Sequence, residues 1–422
     1  MGSTKPWWFI LGWCVLAARP ALPDEKITLE QALAEALEKN LSLLAERVNI
    51  SIAEARLITA RLRPNPVVSA GGDHLDLLGT GFNEINNAGP AEFNLRTDFT
   101  IERGGKRPSR IAVAQHALGV AELEFLNAVR GLRLEVQSAF VEALLAKHRV
   151  ELARQNLEAL NRIVEVNQVR WRAGDVAEVE LIRSRVAALQ QANALRRAEL
   201  DLRTVLIRLQ TLMGRTQPAP DFDVSGELRR EARVAPLEEW LKVALENRPD
   251  LLALRRAARR SAAELQLELA RSKPDVTLGS EYRRQQGLAG TGNMLGFFVE
   301  IPLPVFDRNQ GEIARARQEL RQAELRVRAL EASIRAEVES AYRQWQATLE
   351  SLAQIEKAML AQAREVRDIT EYSYRRGEAS LLEFLDAQRA FNETMQAYYE
   401  ARAEYARSLY LLEASAGIGG KP

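Results

Sequence analysis

The chain states one pattern twice. Residues 29–214 recur, element by element, as residues 237–417. Leu29-Glu30, Leu33, Ala36-Leu37 and Leu43-Leu44-Ala45 return as Leu237-Glu238, Leu241, Ala244-Leu245 and Leu251-Leu252-Ala253. Pro66 and Gly71 return as Pro274 and Gly279, and Ala121-Glu122-Leu123 as Ala323-Glu324-Leu325. Arg172-Ala173-Gly174 and Gly214 return as Arg375-Arg376-Gly377 and Gly417. Each copy is far longer than a solenoid unit of about 20–50 residues, so it reads as one supersecondary block that has been duplicated. The repeats span 28–215 and 236–417, with 216–235 as an inter-repeat, equatorial linker.

Within each copy the periodicity changes in a fixed order. Apolar residues at three- and four-residue steps, Leu33, Leu37, Leu41, Leu44 and Val48, predict a leading amphipathic helix from Thr28 to Arg63. Its counterpart runs from Pro236 to Ser272. Thr28 with Gln31 suits a capping box, and Pro64, Pro66 and Pro274 end these helices. Two strands follow in each copy, over 66–73 and 93–102, then over 274–283 and 295–304. Phe93, Leu95, Thr97, Phe99 and Ile101 alternate with polar residues, which is period two. The segments between paired strands, 79–90 and 285–293, are rich in Gly and Asn and suit exposed loops.

Next comes a helix too long for any globular core. No proline falls between Ser109 and Gln217, or between Val305 and Lys421. Leu118, Ala121, Phe125, Val129, Leu132, Val136, Ala139 and Ala143 form a coiled-coil seam, as do Ile313, Ala316, Leu320, Ala323, Val327, Leu330 and Ile334. The long helices cover 106–171 and 309–374, and return helices cover 176–213 and 379–415. About 65 residues at 1.5 Å each make roughly 100 Å, so these helices pack along neighbours over their whole length. Between them lie two tips, Trp171-Arg172-Ala173-Gly174-Asp175 and Tyr374-Arg375-Arg376-Gly377-Glu378. Glycine closes one helix there and an acid favours the start of the next.

Composition supports a mainly helical fold with a small β part. Charged residues make up 27% and aromatics 6%, with 58 basic side chains against 57 acidic. That balance argues against a nucleic-acid binder held by bulk charge, and few aromatics argue against a large globular core. The N-terminus has Lys5, an apolar run from Trp7 to Leu16, then Ala17 and Ala18, the layout of a secretory signal peptide over 1–18. The run is too short to span a bilayer as a helix, which takes about 20 residues. Cys14, the single cysteine, leaves with that leader, and Trp13 before it speaks against lipidation.

The strands match transmembrane barrel strands of about 9–11 residues, apolar outward and polar inward. One such hairpin would also suit a solvated surface. Two copies behind a leader, in an otherwise helical chain, favour the membrane. Four strands cannot close a pore-sized barrel, and open edges are not tolerated in lipid, so the chain must oligomerise.

Resident chemistry is not expected. His74, His116 and His148 are scattered, the methionines form no cluster, and no glycine-rich phosphate loop follows a strand. The expectation is no enzyme, no cofactor and no metal site.

Two repeats of helix, strand, strand, long helix, tip and return helix resemble the outer membrane efflux protein family, whose familiar member is TolC. The second tip, from Tyr374 through Gly377, Glu383 and Asp386 to Gln388, is similar to the family's pattern. Residues 101–107 and 301–311 look like the CzcC-type cation-efflux branch. The resemblance implies a homotrimer with a 12-stranded outer-membrane barrel, four strands per chain, continuous with an α-helical periplasmic barrel. It implies a passive exit duct working with a periplasmic membrane-fusion adaptor and an inner-membrane pump of resistance-nodulation-division type. Residue by residue, Gly174 and Gly377, with Arg172, Arg375 and Arg376, match the adaptor-docking tips. Glu383 and Asp386 match acids that ring the closed periplasmic entrance, and Glu180 is the first-repeat equivalent of Glu383. Arg183 stands opposite Asp386, a departure from the acidic pattern. Two alternatives remain: a periplasmic coiled-coil scaffold or adaptor without a pore, and a duct for drug or protein export.

Overall fold

The duplication organises the element order of the computed structural model, which describes residues 25–75, 77–79, 81, 90–231, 235–287 and 290–418. The leader over 1–18 and Cys14 lie outside the described residues. The first half runs β1 (Glu25–Ile27), α1 (Leu29–Lys39), α2 (Leu41–Arg61), β2 (Val67–Asp73), β3 (Glu92–Ile101), α3 (Lys106–Ala173) and α4 (Glu178–Leu212). The second runs β4 (Phe222–Val224), α5 (Leu237–Asn247), α6 (Pro249–Arg271), β5 (Val276–Gly287), β6 (Gly290–Glu300), α7 (Gln310–Gln354), a π turn (Ile355–Met359), α8 (Leu360–Arg376) and α9 (Leu381–Ser415).

The leading helix of each repeat is two helices, not one. Asn40 leaves helical geometry at φ −63°, ψ 117°, and its side chain accepts the Leu43 N–H at 3.0 Å as the N-cap of α2. Arg248 occupies the same place at φ −61°, ψ 121°. Its extended backbone follows from Pro249, which disfavours helical geometry in the residue before it. A one-residue break leaves the apolar period intact on both sides, so periodicity alone reads straight through it. The capping box of Thr28 and Gln31 is formed.

The four longer strands make one antiparallel sheet in the order β2-β3-β5-β6. The β3–β5 ladder joins the repeats, pairing Leu95 with Tyr282 and Phe99 with Leu278. The β5–β6 hairpin is longer than expected: Gln285 pairs with Gly292 and Gly287 with Gly290, so most of the expected loop is ladder. Register sorts the side chains by face. Phe93, Leu95, Phe99, Leu278, Tyr282, Leu295, Phe297 and Val299 share one face and all are exposed. The opposite face carries Asn94, Arg96, Asp98, Glu281 and Arg283. Among the described residues, β2 and β6 each leave one edge without a strand partner.

α3 has 68 residues, roughly 100 Å at 1.5 Å per residue. Its counterpart is not continuous: the π turn at Ile355–Met359 interrupts what the periodicity reads as one helix over 309–374. Arg230 of the linker reaches Glu356 in that turn at 2.7 Å. The largest apolar cluster sits at the equator, where α1, α3, α4 and α9 meet β4 around Val136, Phe140, Leu209 and Tyr410. There β1 pairs in parallel with β4, Ile27 opposite Val224, and Lys147 binds Asp223 at 2.8 Å. Smaller clusters follow the helices, as expected of a rod with few aromatics.

Candidate pore gate and docking tips

Both tips are closed by the same backbone device. Gly174 has φ 84° and Gly377 φ 82°. Around each, the N–H of the next residue bonds back five residues, Asp175 to the Arg170 carbonyl at 2.9 Å and Glu378 to Ser373 at 2.9 Å. This is the glycine-terminated C-cap that requires a left-handed residue.

The two tips are tied to each other within one chain. Arg170, a turn before Gly174, donates to the carbonyls of Tyr374 at 3.2 Å and Arg375 at 2.9 Å. Its guanidinium also lies 5.8 Å from the Tyr374 ring centroid. Tyr374 is fully buried, stacks on Phe384 at 5.5 Å, and donates its hydroxyl to Asn167 Oδ1 at 2.5 Å. Burial raises the Tyr374 phenol pKa, the Asn167 bond lowers it and the Glu180 charge raises it, for a net rise. Leu160, Ile163, Ala188 and Leu381 complete the apolar packing.

Arg172, Arg375 and Arg376 are all exposed. Arg375 pairs with Glu371 at 2.6 Å, and Arg376 lies over the Tyr372 ring at 4.5 Å. Glu180 is half-buried in the first turn of α4. Glu383 and Asp386 are exposed on the first turns of α9, and Arg183 is exposed on α4. Among the described residues, no hydrogen bond or ion pair joins Glu180 to Glu383 or Asp386 within one chain.

Glu383 has a second duty that its spacing signals. Ser380-x-x-Glu383 is a formed capping box: the Glu383 carboxylate accepts the Ser380 N–H at 2.7 Å and its hydroxyl at 2.9 Å. The backbone bond, then the hydroxyl, hold the Glu383 pKa below its ordinary value. Both bonds favour the ionised form of this exposed carboxylate. Asn167, Arg170 and Tyr374 were not singled out as a group by the sequence. Asn167 and Arg170 look like solvated positions on a charged helix until α8 is placed against them.

The polar face of the sheet is a cross-linked wall. Glu281 accepts from Asn94 at 3.2 Å and Arg283 at 2.8 Å, and Arg96 pairs with Asp98 at 2.9 Å. Among the described residues no group of three or more His, Cys, Asp or Glu could hold a metal ion, and no helix is long and apolar enough to cross a membrane.

Residues 32–215 and 240–418 match the family described as Outer membrane efflux protein. The chain is 30% identical over 395 residues to the cobalt-zinc-cadmium resistance protein CzcC of Cupriavidus metallidurans, covering 92% of this chain and 88% of that one. It is 25% identical to the pyoverdine export outer membrane protein OpmQ of Pseudomonas putida, over 94% of this chain and 87% of that one. In fold it is similar to the Campylobacter jejuni CmeC outer membrane channel, with a TM-score of 0.78, 16% identity, and coverage of 93% and 86%.

Proposed function

The chain belongs to the outer membrane efflux protein family, and we propose on that footing that three copies close one passive exit duct for heavy-metal cations. As a family member it is an outer-membrane duct of a tripartite efflux system that extends into the periplasm. Members of this family are channels, not enzymes. A scaffold without a pore is thereby set aside.

The observation that carries the trimer is the sheet. It has apolar residues on one face, charged residues on the other, and two edges without a partner. A lone four-stranded sheet would expose backbone polar groups to hydrocarbon, at several kcal/mol each. Joining β6 of one copy to β2 of the next removes every edge, and three copies give twelve strands. The apolar face then meets lipid, and the Arg96, Asp98, Glu281 and Arg283 face lines the lumen.

The helical rods continue the lumen across the periplasm to the tips. There Glu383 and Asp386, with Glu180, form acidic rings that narrow the entrance and favour cations. Gly174 and Gly377, with Arg172, Arg375 and Arg376, present the surface that a periplasmic adaptor engages. An inner-membrane pump of resistance-nodulation-division type supplies the energy. The metal substrate class rests on the likeness to the cobalt-zinc-cadmium resistance protein. In this reading, metal selectivity is assigned mainly to the pump, and this chain is the conduit.

The test is the mass of the detergent-extracted protein followed by single-channel conductance in a planar bilayer. A trimer with a discrete, cation-selective conductance is expected. A non-conducting protein, even with Glu383 and Asp386 neutralised, would overturn the duct. Export assays with zinc, cobalt and cadmium against organic dyes test the substrate class separately.

A further inference from the structure

We infer that the junction between sheet and helices is a basic, apolar-tipped collar that seats on the anionic phospholipid surface of the membrane's inner leaflet, a reading that rests on the outer-membrane duct proposed above.

The sheet meets the helices at one end only. Val67 pairs with Asp98, Ile101 with Val276 and Thr277 with Glu300, so residues 62–66, 102–105, 272–275 and 301–309 leave the sheet at one level. At that level a short apolar spur stands out. Leu303, Val305 and Phe306 are 80%, 60% and 92% exposed. Leu303 and Val305 continue the odd-numbered apolar series of β6, Leu295, Phe297 and Val299, through Ile301 past the end of the strand, and Phe306 follows them. A large apolar group so exposed is costly in water and favourable at an acyl boundary.

The charge at this level is not balanced, although the whole chain nets only +1. Two junction acids are already matched: Glu102 pairs with Arg110 at 2.7 Å and Asp275 with Lys106 at 2.7 Å. Asp307 is not ion-paired among the described residues; it accepts only the neutral Asn309 N–H, at 2.8 Å, and so offsets one of the surplus cations. The side chains of Arg61, Arg63, Arg103 and Lys273 are exposed and form no ion pair among the described residues, although the Arg103 backbone N–H donates to Asp275 at 2.9 Å. Long basic side chains beside an apolar spur suit a headgroup layer: the stems follow the apolar surface and the heads meet phosphate. A second copy is the other possible occupant. The segment it would bring to the β6 edge flanks β2 and carries Arg61 and Arg63, so it would add like charge and leave the surplus uncompensated.

The test uses the full chain in liposomes, with a nitroxide attached through Phe306→Cys in a Cys14→Ala background. The label should be reached by oxygen and not by an aqueous nickel chelate. A label reached by neither is buried against another copy, and one reached by both is in water; either result overturns the collar. In parallel, spin-labelled phosphatidylglycerol and phosphatidylcholine are compared for association with the protein. The unaltered chain should prefer phosphatidylglycerol, and R63Q/R103Q/K273Q should lower that preference at least about fivefold, the weight of one such charge near an anionic surface. No preference, or one unchanged in the variant, overturns it. If the chain enters the outer membrane and conducts but fails these tests, the collar alone falls. If it never enters the membrane, the duct falls with it.

Discussion

Arg248 donates through Nη1 to the carbonyl of Ser415 at 3.1 Å. Asn40 makes the matching contact in the first repeat, donating to the Leu212 carbonyl at 2.8 Å. In both halves the residue that breaks the leading helix pair holds the last turn of the return helix. The second half adds a charged network: Arg248 also binds Asp250 at 2.6 Å and the carboxylate of Glu337, and Arg130 stands 3.7 Å from Asp250. Arg248 is buried, so truncating it strands Asp250 and opens the carbonyl. Arg248→Ala is expected to cost about 3 kcal/mol, the low end for a broken buried pair because Glu337 is half exposed. Thermal unfolding of the detergent-extracted protein measures this.

The same network sets a pH dependence. Burial pushes the Asp250 pKa up, but the Arg248 hydrogen bond and the charges of Arg248 and Arg130 outweigh it and hold the pKa below 3.8. A carboxyl depressed in the folded state contributes stability above its unfolded pKa and loses it as pH falls through the folded value. Stability from this site should therefore persist from neutrality down to pH 3.8 and fall below it. In Arg248→Ala, with the main cause of that depression gone, the loss of stability below pH 3.8 should be smaller, which unfolding scans from about pH 7 down to about pH 2 would register.

Two glycines of equal φ predict unequal costs. Gly174 has φ 84° and open space around its missing Cβ. Gly214 has φ 83°, but a Cβ there would lie 2.3 Å from the Lys39 carbonyl oxygen. Gly174→Ala should cost only the left-handed backbone penalty, ~1–2 kcal/mol. Gly214→Ala must also push α4 off the α1–α2 break, and should prevent accumulation of folded protein in membrane fractions.

That contrast shows what was legible in the sequence. The glycines, tips, strand alternation and helical seams are written in local patterns, and the repeat displays each pattern twice. The breaks at Asn40 and Arg248 are not, because one extended residue does not disturb a three-and-four periodicity. Pro249 was the signal for the second. The β1–β4 pairing joins residues almost two hundred positions apart, and neither strand exceeds three residues, so no periodicity could announce it. The extension of β5 and β6 was hidden because Gln- and Gly-rich sequence reads as loop, although hairpin pairing overrides that preference. At the tips, Glu383 was visible as an acid and as the third residue after Ser380. The Arg170–Tyr374–Asn167 tie depends on α3 and α8 lying side by side.

Tyr374 and Arg170 should control how firmly the tip pair stays closed. Tyr374→Phe removes a bond to Asn167, whose Nδ2 already lacks a hydrogen-bond partner. Leaving the buried Oδ1 unsatisfied as well is expected to cost ~1–2 kcal/mol. Arg170→Lys keeps the charge but loses the fork that reaches two carbonyls. Both variants should raise the open fraction of the reconstituted channel, and traces identical to the parent would rule out this role.

Charge and capping at Glu383 can be separated. Gln also serves as the third residue of a capping box, so Glu383→Gln with Asp386→Asn should fold normally while reducing cation selectivity and divalent block. Glu383→Ala should in addition weaken the start of α9, because it removes the capping-box acceptor of the Ser380 N–H. Since the Ser380 N–H and hydroxyl lower the Glu383 pKa from 4.5, its contribution to selectivity should survive acidification to that pH and decline below it. Reversal potentials in a salt gradient, at neutral pH and below that value, distinguish these outcomes.

Phe99 offers the sharpest test of which sheet face meets lipid. It pairs with Leu278 on the apolar face and is 51% exposed in the single chain. Its neighbours Asp98 and Thr100 point to the other side, as strand geometry requires. An arginine on the lipid face costs ~2–4 kcal/mol at mid-bilayer and ~0–1 near the interface, whereas one facing the lumen is solvated. Phe99 lies between those levels, two residues from the junction end of β3, so Phe99→Arg should reduce the trimer recovered from outer-membrane fractions. Asp98→Arg, on the polar face, should assemble at a yield closer to normal and alter conductance instead, since it removes the nearer carboxylate from Arg96 and leaves only Glu300 at 3.9 Å. Normal assembly of Phe99→Arg together with failure of Asp98→Arg would invert the assigned faces.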